Sequence, residues 1–358
     1  MKIKQILIRL LIVALAIVII YLYKTLPIFQ HAADEKIEWV SPYKDIKWET
    51  VIRAKAQFHS HTTQSDGELT PAELVDLYSG AGFDVLAITD HWKATYPWEN
   101  FDINTNASGM LPIQGAEPSH KGPRQHHVVS LFSNVTGKDS EFEQTLSIID
   151  LVGGLASFAH PARSAERNNN ETADYIYFLD NYRQIYGIDI FTRATFNDPE
   201  RWPINTKLYS EIIMHYGTPE NKGWRPVWMT STDDLHKIED LNQGFQIQLV
   251  DTLNRDNIYD SLKDGKFFWV ANAPEEQPPL IKSVQFKGSK ITVRAEGCDQ
   301  IDWHFNDKVV HTGKSFDALK NATEDVFYVY FTAYTSDFSV EGKTGSLVGS
   351  QPFWILRK

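Results

Sequence analysis

The stretch from Phe58 to His91, FHSHTTQSDGELTPAELVDLYSGAGFDVLAITDH, constrains this chain more than any other. Successive strand residues face opposite ways, so His59 and His61 project from one side of a strand and Ser60 from the other. Asp66 follows in a turn with Gly67. A helix then starts: Thr70 caps it, Pro71 suits the first helical position, and Glu73 completes a capping box. Leu74, Leu77 and Tyr78 mark its buried face, and Gly80 and Gly82 end it. Val85 to Thr89 is apolar enough for the inside of a parallel sheet, and Asp90 and His91 arrive where that strand ends. The pattern is strand–helix–strand. It puts four potential metal ligands, His59, His61, Asp66 and His91, at C-terminal strand ends, where α/β barrels carry their chemistry.

A His-x-His pair by itself is a weak signal. Its weight comes from what lies downstream. Glu117 ends the apolar run MLPIQGAE, His127 opens HVVSLF, and His160 ends GGLASFAH. Asp234 and His236 form a Asp-x-His pair after VWMTST. Each sits at the edge of a predicted strand, as a site assembled from many strand ends requires.

In order, HSH…SDG, TDH, the lone Glu, the isolated His, AHP and DxH resemble the motifs of the polymerase and histidinol phosphatase (PHP) family. The resemblance covers about Val51 to Ala273. It departs locally at TSTDDLH, where the family more often shows a Gly-Ser-Asp-x-His type of sequence. It implies a distorted (β/α)7 barrel and two to three divalent transition-metal ions, a role for which imidazole and carboxylate together suit Zn, Mn or Fe. It also implies an allocation. His59, His61, Glu117 and Asp234 would hold one ion. Glu117 would bridge to a second, held with His127 and His160. Asp66, His91 and His236 would hold a third. The activity implied is hydrolysis of phosphate esters by a metal-bound hydroxide held through Glu117, Asp234 and His127. Asp90 would orient a ligand from behind. His127, which directly precedes the aliphatic run, matches the family's histidine; His126 beside it would face the other way.

Arg163, in HPAR, and Arg193, after GIDIF, follow predicted strand ends, so both are candidates for a phosphate oxygen. His120, Lys121 and Arg124 form a second basic set, which reads equally as a solvated loop. The aromatic loop WKATYPWENFD either lines a substrate pocket or covers the barrel mouth.

Elsewhere the pattern alternates between strand and helix. Helices are predicted over Ser140–Gly153, with Ser140 and Glu143 as a second capping box, and over Thr172–Asn181, Leu208–His215 and Ile258–Leu262. Strands are predicted at Leu155–His160, Gly187–Phe191, Pro226–Thr230, Phe245–Val250 and Phe267–Val270. The fold class expected is therefore α/β, with the barrel over 50–273. Pro274-Glu275-Glu276-Gln277-Pro278-Pro279 marks a linker. Beyond it, short β patterns without a helical period predict a small β-sandwich over 280–358.

The amino terminus limits where such a protein works. Lys2, Lys4 and Arg9 precede an uncharged apolar run from Leu10 to Tyr23. Residues 1–25 read as a signal anchor or a signal peptide, with 26–49 as a tether leading into the barrel. Either reading puts the catalytic part outside the cytoplasm, membrane-anchored or released into the periplasm or medium. A net charge of −11 disfavours non-specific binding to nucleic acid, but not a small phosphorylated substrate beside bound cations. The single Cys298 excludes a disulfide framework within the chain and a thiolate-rich zinc site. The main expectation is a membrane-anchored, metal-dependent phosphoesterase. The alternatives are an amidohydrolase-type enzyme acting at carbon, and a metal-containing, non-catalytic envelope binding module.

Overall fold

The computed structural model describes residues 14–15, 36–118, 126–137, 140–274 and 276–358. The apolar amino-terminal run, all but two of its residues, and the basic set His120, Lys121 and Arg124 lie outside them. No helix among the described residues is long and apolar enough to cross a membrane.

The architecture is mixed α/β. The first part winds around seven strand positions. β1 (Ile37–Val40) precedes them and belongs elsewhere. The circuit starts with β2 (Ile52–Gln57), β3 (Val85–Ala87) and β4 (Leu111–Ile113), each parallel to the last. After Gln114 the same segment continues as β5 (Gly115–Ala116). It pairs antiparallel with β6 (Val128–Leu131), and β6 pairs antiparallel with β7 (Leu155–Phe158). β7, β8 (Ile185–Thr192) and β9 (Trp228–Thr232) are again parallel. Beyond the strand ends, Ser60 forms a parallel bridge with Leu235, and His61 N donates to Leu235 O at 2.8 Å. That bridge brings the end of the β9 segment back beside the end of the β2 segment.

The reversal of β6 matters for the site. In an antiparallel neighbour the amino-terminal end lies where its partners' carboxyl ends lie. His127, which precedes β6, thereby arrives at the same rim as residues that follow the parallel strands.

The helices form where local chemistry favours them. α1 (Pro71–Gly80) has the capping box read from the sequence, with Thr70 and Glu73 each serving the other's backbone. It buries Leu74, Val75 and Tyr78. α2 (Phe142–Leu151) is shorter than expected. Its cap is Glu141, extended and without a side-chain bond, so the Ser140–Glu143 box does not form. α3 (Pro161–Asn168) leaves the strand rim directly after His160. α4 (Thr172–Asn181) matches its predicted range. α5 (Arg193–Asn197) is a short turn, and α6 (Arg201–Tyr216) extends two turns further upstream than the apolar pattern suggested. α7 (Arg255–Asp264) has Asn254 as cap and ends on Gly265 in the left-handed region.

β10 (Gly244–Val250) runs antiparallel to β2 and to β11 (Phe267–Asn272), so these two strands stand outside the circuit. The break in composition at Pro274–Pro279 is not a break in the sheet. β11 pairs with β13 (Ser346–Gly349), which leads through β12 (Tyr328–Tyr334) to β14 (Phe353–Arg357) and finally β1. Ile37–Val40, read as tether, is thus the edge strand of the carboxyl-terminal sheet. A separate sheet of Leu280–Lys287, Lys290–Glu296 and Ser315–Asp317 packs on it through Ile281, Val284, Ile291, Val293 and Phe316 against Trp303, Phe331 and Phe353.

Candidate metal centre

His59 and His61 follow β2 and are fully buried; Glu117 and Asp234 are buried with them. The donor atoms converge. His59 Nε2 lies 3.0 Å from Glu117 Oε2 and 3.4 Å from Asp234 Oδ1. His61 Nε2 lies 3.2 and 3.3 Å from the same two oxygens. A tetrahedral ion with bonds of about 2.0–2.1 Å separates its ligands by about 3.3 Å, so the spacing fits one. Hydrogen bonding alone fits poorly: each imidazole nitrogen carries at most one proton and faces two carboxylate oxygens.

Glu117 faces two groups. Its Oε2 belongs to the set just described. Its Oε1 lies 2.6 Å from His127 Nδ1 and 3.2 Å from His160 Nε2. Glu117 is held at the rim by its backbone N–H, which reaches the Thr89 and Asp90 carbonyls, and by a parallel bridge with His91. A third group comprises His61, Asp66 and His91: His61 Nδ1 is 3.4 Å from Asp66 Oδ1, and His91 Nε2 is 3.7 Å from Asp66 Oδ2. His236 Nε2 approaches the same Asp66 oxygen at 3.5 Å. Among the described residues these are three donor groups, each with its ligand atoms within 4.8 Å of one another. All nine residues of the motif series therefore meet at one rim.

The chain spends conformational energy to place two of them. His160 has φ 32° and Asp234 φ 50°, left-handed backbone that costs ~1–2 kcal/mol for a residue with a Cβ. Gly67 is required by packing: a Cβ there would stand 2.3 Å from the His61 carbonyl oxygen, so only glycine lets the turn carrying Asp66 fold back onto the His61 backbone.

Behind the donors lies a shell of polar contacts. Asp90 accepts from Thr62 N and Ser65 Oγ at 2.7 Å, Thr62 Oγ1 at 2.8 Å and Thr95 Oγ1 at 2.5 Å. It thus fastens the loop that leads to Asp66; Ser65 Oγ lies 3.5 Å from His61 Nδ1. Arg193, expected at the substrate, is directed at protein groups instead. Its Nε donates to the Asp234 carbonyl at 2.5 Å, an Nη lies 2.8 Å from His236 Nδ1, and Asp240 pairs with it at 3.3 Å. That geometry makes Arg193 a positioning residue for the Asp234–His236 turn. Asp189 and Asp233 escaped the sequence reading. Asp189 accepts from Thr230, Thr232 and the His160 N–H; Asp233 accepts from Tyr78 and the backbone of Asn242, Gln243 and Gly244. Burial pushes both carboxyls up to about 6. An acid inside an apolar run, as in GIDIF, was the available signal.

Electrostatics within the centre are those of a preformed cation site. Burial alone would raise Glu117 and Asp234, yet the surrounding imidazoles hold both well below the ordinary carboxylate range. Burial opposes a proton on His61, but the Asp234 and Glu117 carboxylates overcome it and raise its pKa to about 10. His160 is pushed down to about 4 by burial.

Above the donors opens a cleft of about 340 Å³, lined by Asp66, His127, Trp92, Arg163 and Arg167 among others. In the aromatic loop Trp98 is core and Tyr96 and Phe101 pack on the core; Trp92 lines the cleft. Neither the Arg163 nor the Arg167 guanidinium has a hydrogen-bond or ion-pair partner among the described residues. Arg163, one helical turn away, is the main cause of a lowered Arg167 pKa. His126 is turned from the donors into a cage of Phe142, Phe158, Tyr175 and Phe178.

No protein-family model matches the chain, and no curated protein matches it significantly. Solved structures do. A two-domain protein from Bacteroides vulgatus, described as containing a predicted PHP-like metal-dependent phosphoesterase, is 12% identical with a TM-score of 0.52, over 88% of this chain and 97% of its own. A protein from Bifidobacterium adolescentis, described as a putative metal-dependent phosphoesterase, is 15% identical with a TM-score of 0.40, over 59% of this chain and 96% of its own. The lesion-specific endonuclease EndoQ of Pyrococcus furiosus is 14% identical with a TM-score of 0.40, over 59% and 56%. The chain therefore shares the fold of the Bacteroides vulgatus protein, and the nine residues of the motif series gather at one rim of it.

Proposed function

We propose that this protein is a metal-dependent phosphoesterase with its active site in the cleft over His59, His61, Asp66, His91, Glu117, His127, His160, Asp234 and His236. Divalent ions of the Zn, Mn or Fe type, two to three by the family resemblance, would supply Lewis acidity toward a phosphoryl oxygen and an acidified water near neutral pH. The residues of the chain do the rest. Glu117 joins two donor groups through its two oxygens. Arg193 and Asp240 fix the Asp234–His236 turn. Asp90 fixes the turn that carries Asp66.

One observation carries the choice of phosphorus over carbon. Arg163 and Arg167 line the cleft, and among the described residues neither guanidinium is taken up by an ion pair or hydrogen bond. Two guanidiniums with donors to spare beside a donor set attract an anionic, oxygen-rich substrate and would gain little from a neutral amide. Arg163 is the nearer in sequence to His160 and is assigned a phosphate oxygen.

The test sets three ester classes against metal-stripped protein with Mn or Zn added back: p-nitrophenyl phosphate, bis-p-nitrophenyl phosphate and p-nitrophenyl acetate. Turnover of either phosphate that depends on added metal supports the proposal. Metal-dependent turnover of the acetate alone would favour the amidohydrolase alternative. Full metal loading with no turnover would favour a binding module. The amino-terminal run extends the proposal to location: Lys2, Lys4 and Arg9 before Leu10–Tyr23 support an anchor with the enzyme outside the cytoplasm.

A further inference from the structure

Trp92 stands on the cleft rim in a backbone conformation that neither ligand placement nor burial accounts for. It follows His91 directly and has φ 57°, left-handed backbone in which a bulky side chain is a rare exception. The strain is not repaid by burial, because half of the residue, 50%, stays exposed. Its indole leans on His91, ring centroids 5.4 Å apart at 41°, and lines the cleft. The neighbouring aromatics went the other way: Trp98 is in the core. A strained residue that holds an apolar ring out at a site edge is held there for what the ring meets.

We infer that Trp92 is a stacking platform for the alcohol portion of the substrate, which carries a planar aromatic ring close to the scissile phosphate. This rests on the phosphoesterase reading. The chemistry is that of base and ring recognition generally: an indole face accepts any planar π system and gains from the desolvation of both. The arginines on α3 supply anion recognition, and Trp92 supplies what they lack, a surface for the uncharged part. A role in merely shielding His91 from water predicts something different, since it would affect every substrate alike.

The experiment compares 2-phenylethyl phosphate with n-butyl phosphate, whose alkyl leaving groups are similar in acidity, so that the ring is the main variable. Choline phosphate is the third substrate. Binding of the corresponding phenylethyl and butyl phosphonates is measured in parallel by calorimetry on metal-loaded protein. The proteins are wild type, Trp92→Ala and Trp92→Phe, with metal content determined for each. Trp92→Ala should lose about tenfold in kcat/KM, and about tenfold in phosphonate affinity, for the phenylethyl compound relative to the butyl one. Trp92→Phe should retain most of that preference. An equal loss on both compounds, or no loss, overturns the inference, as does a loss confined to choline phosphate, which would mark the ring as a cation site. If no phosphate ester turns over but phenylethyl phosphonate binds with a preference that Trp92→Ala abolishes, the phosphoesterase reading fails and the platform stands.

Discussion

Glu117 Oε1 lies 2.6 Å from His127 Nδ1, on the opposite oxygen from the one that meets His59 and His61. One buried carboxylate therefore belongs to two donor groups.

Replacing Glu117 should accordingly cost more than one ligand. Glu117→Gln keeps the volume but offers one oxygen and an NH2 that repels a cation. The variant is expected to lose the ions of both groups it serves while keeping its fold. Elemental analysis with circular dichroism checks this. A variant that loses one ion and retains the other would show that Glu117 does not join the two groups.

The adjacent histidines should separate cleanly. His127→Ala removes a donor and is expected to lose an ion and nearly all activity. His126→Ala leaves a gap among Phe142, Phe158, Tyr175 and Phe178, so it should cost stability, about 2–4 kcal/mol by analogy with other large-to-small core changes, and keep its metal. Thermal unfolding and metal content on both variants decide. An ion lost from the His126 variant and kept by the His127 variant would reverse the assignment.

A chain cut after Ala273 should fail as a folding unit. The cut removes the strand that pairs Trp269 with Gly349 and Asn272 with Ser346. It also removes Gln351, whose side chain accepts from Met229 N at 2.8 Å and donates to Met229 O at 2.9 Å. Residues 36–273 alone are expected to show no sharp thermal transition. A milder companion is Gly349→Ala, because a Cβ there would stand 2.0 Å from the Trp269 ring. It should destabilise the full chain by about 1–3 kcal/mol. A truncated chain with a sharp transition and a full metal load would refute the dependence.

Metal binding should release protons. In the metal-free centre the Glu117 and Asp234 carboxylates raise the His61 pKa to about 10 against burial, so it holds a proton at neutral pH, and they shift His59 in the same direction. His160, pushed down to about 4, holds none. An ion must displace the His61 proton, and any that His59 carries, so affinity falls as pH falls, and the dependence persists upward towards pH 10. Calorimetry in buffers of different ionisation enthalpy should find about one to two protons released per centre at pH 7. Binding with no proton release would contradict the charge state described.

Much of this was legible beforehand, and the reasons differ by element. The cap of α1 was readable because Thr70 and Glu73 are three residues apart and the box is local. His59 and His61 were readable because their common face follows from alternation. The direction of β6 was not: its four residues are all buried, so no alternation marks a face or a heading. Nor was the employment of Arg193, which turns on Asp240 and on a turn made 41 residues later. The Ser140–Glu143 box misled because the helix begins at Phe142, which is buried, and places Glu141 at the cap. The continuity of the sheet across Pro274–Pro279 depends on β11 meeting a strand some 80 residues on, which composition cannot register.

The proposed activity requires that nine side chains at one rim form a catalytic metal centre. Its most direct measurement is metal content and phosphate-ester turnover on the same preparation: as purified without chelator, after stripping, and after adding back Mn or Zn. About two to three ions per chain are expected, with activity lost on stripping and restored with the metal. Phosphate-ester turnover that persists in protein shown to be metal-free would contradict it.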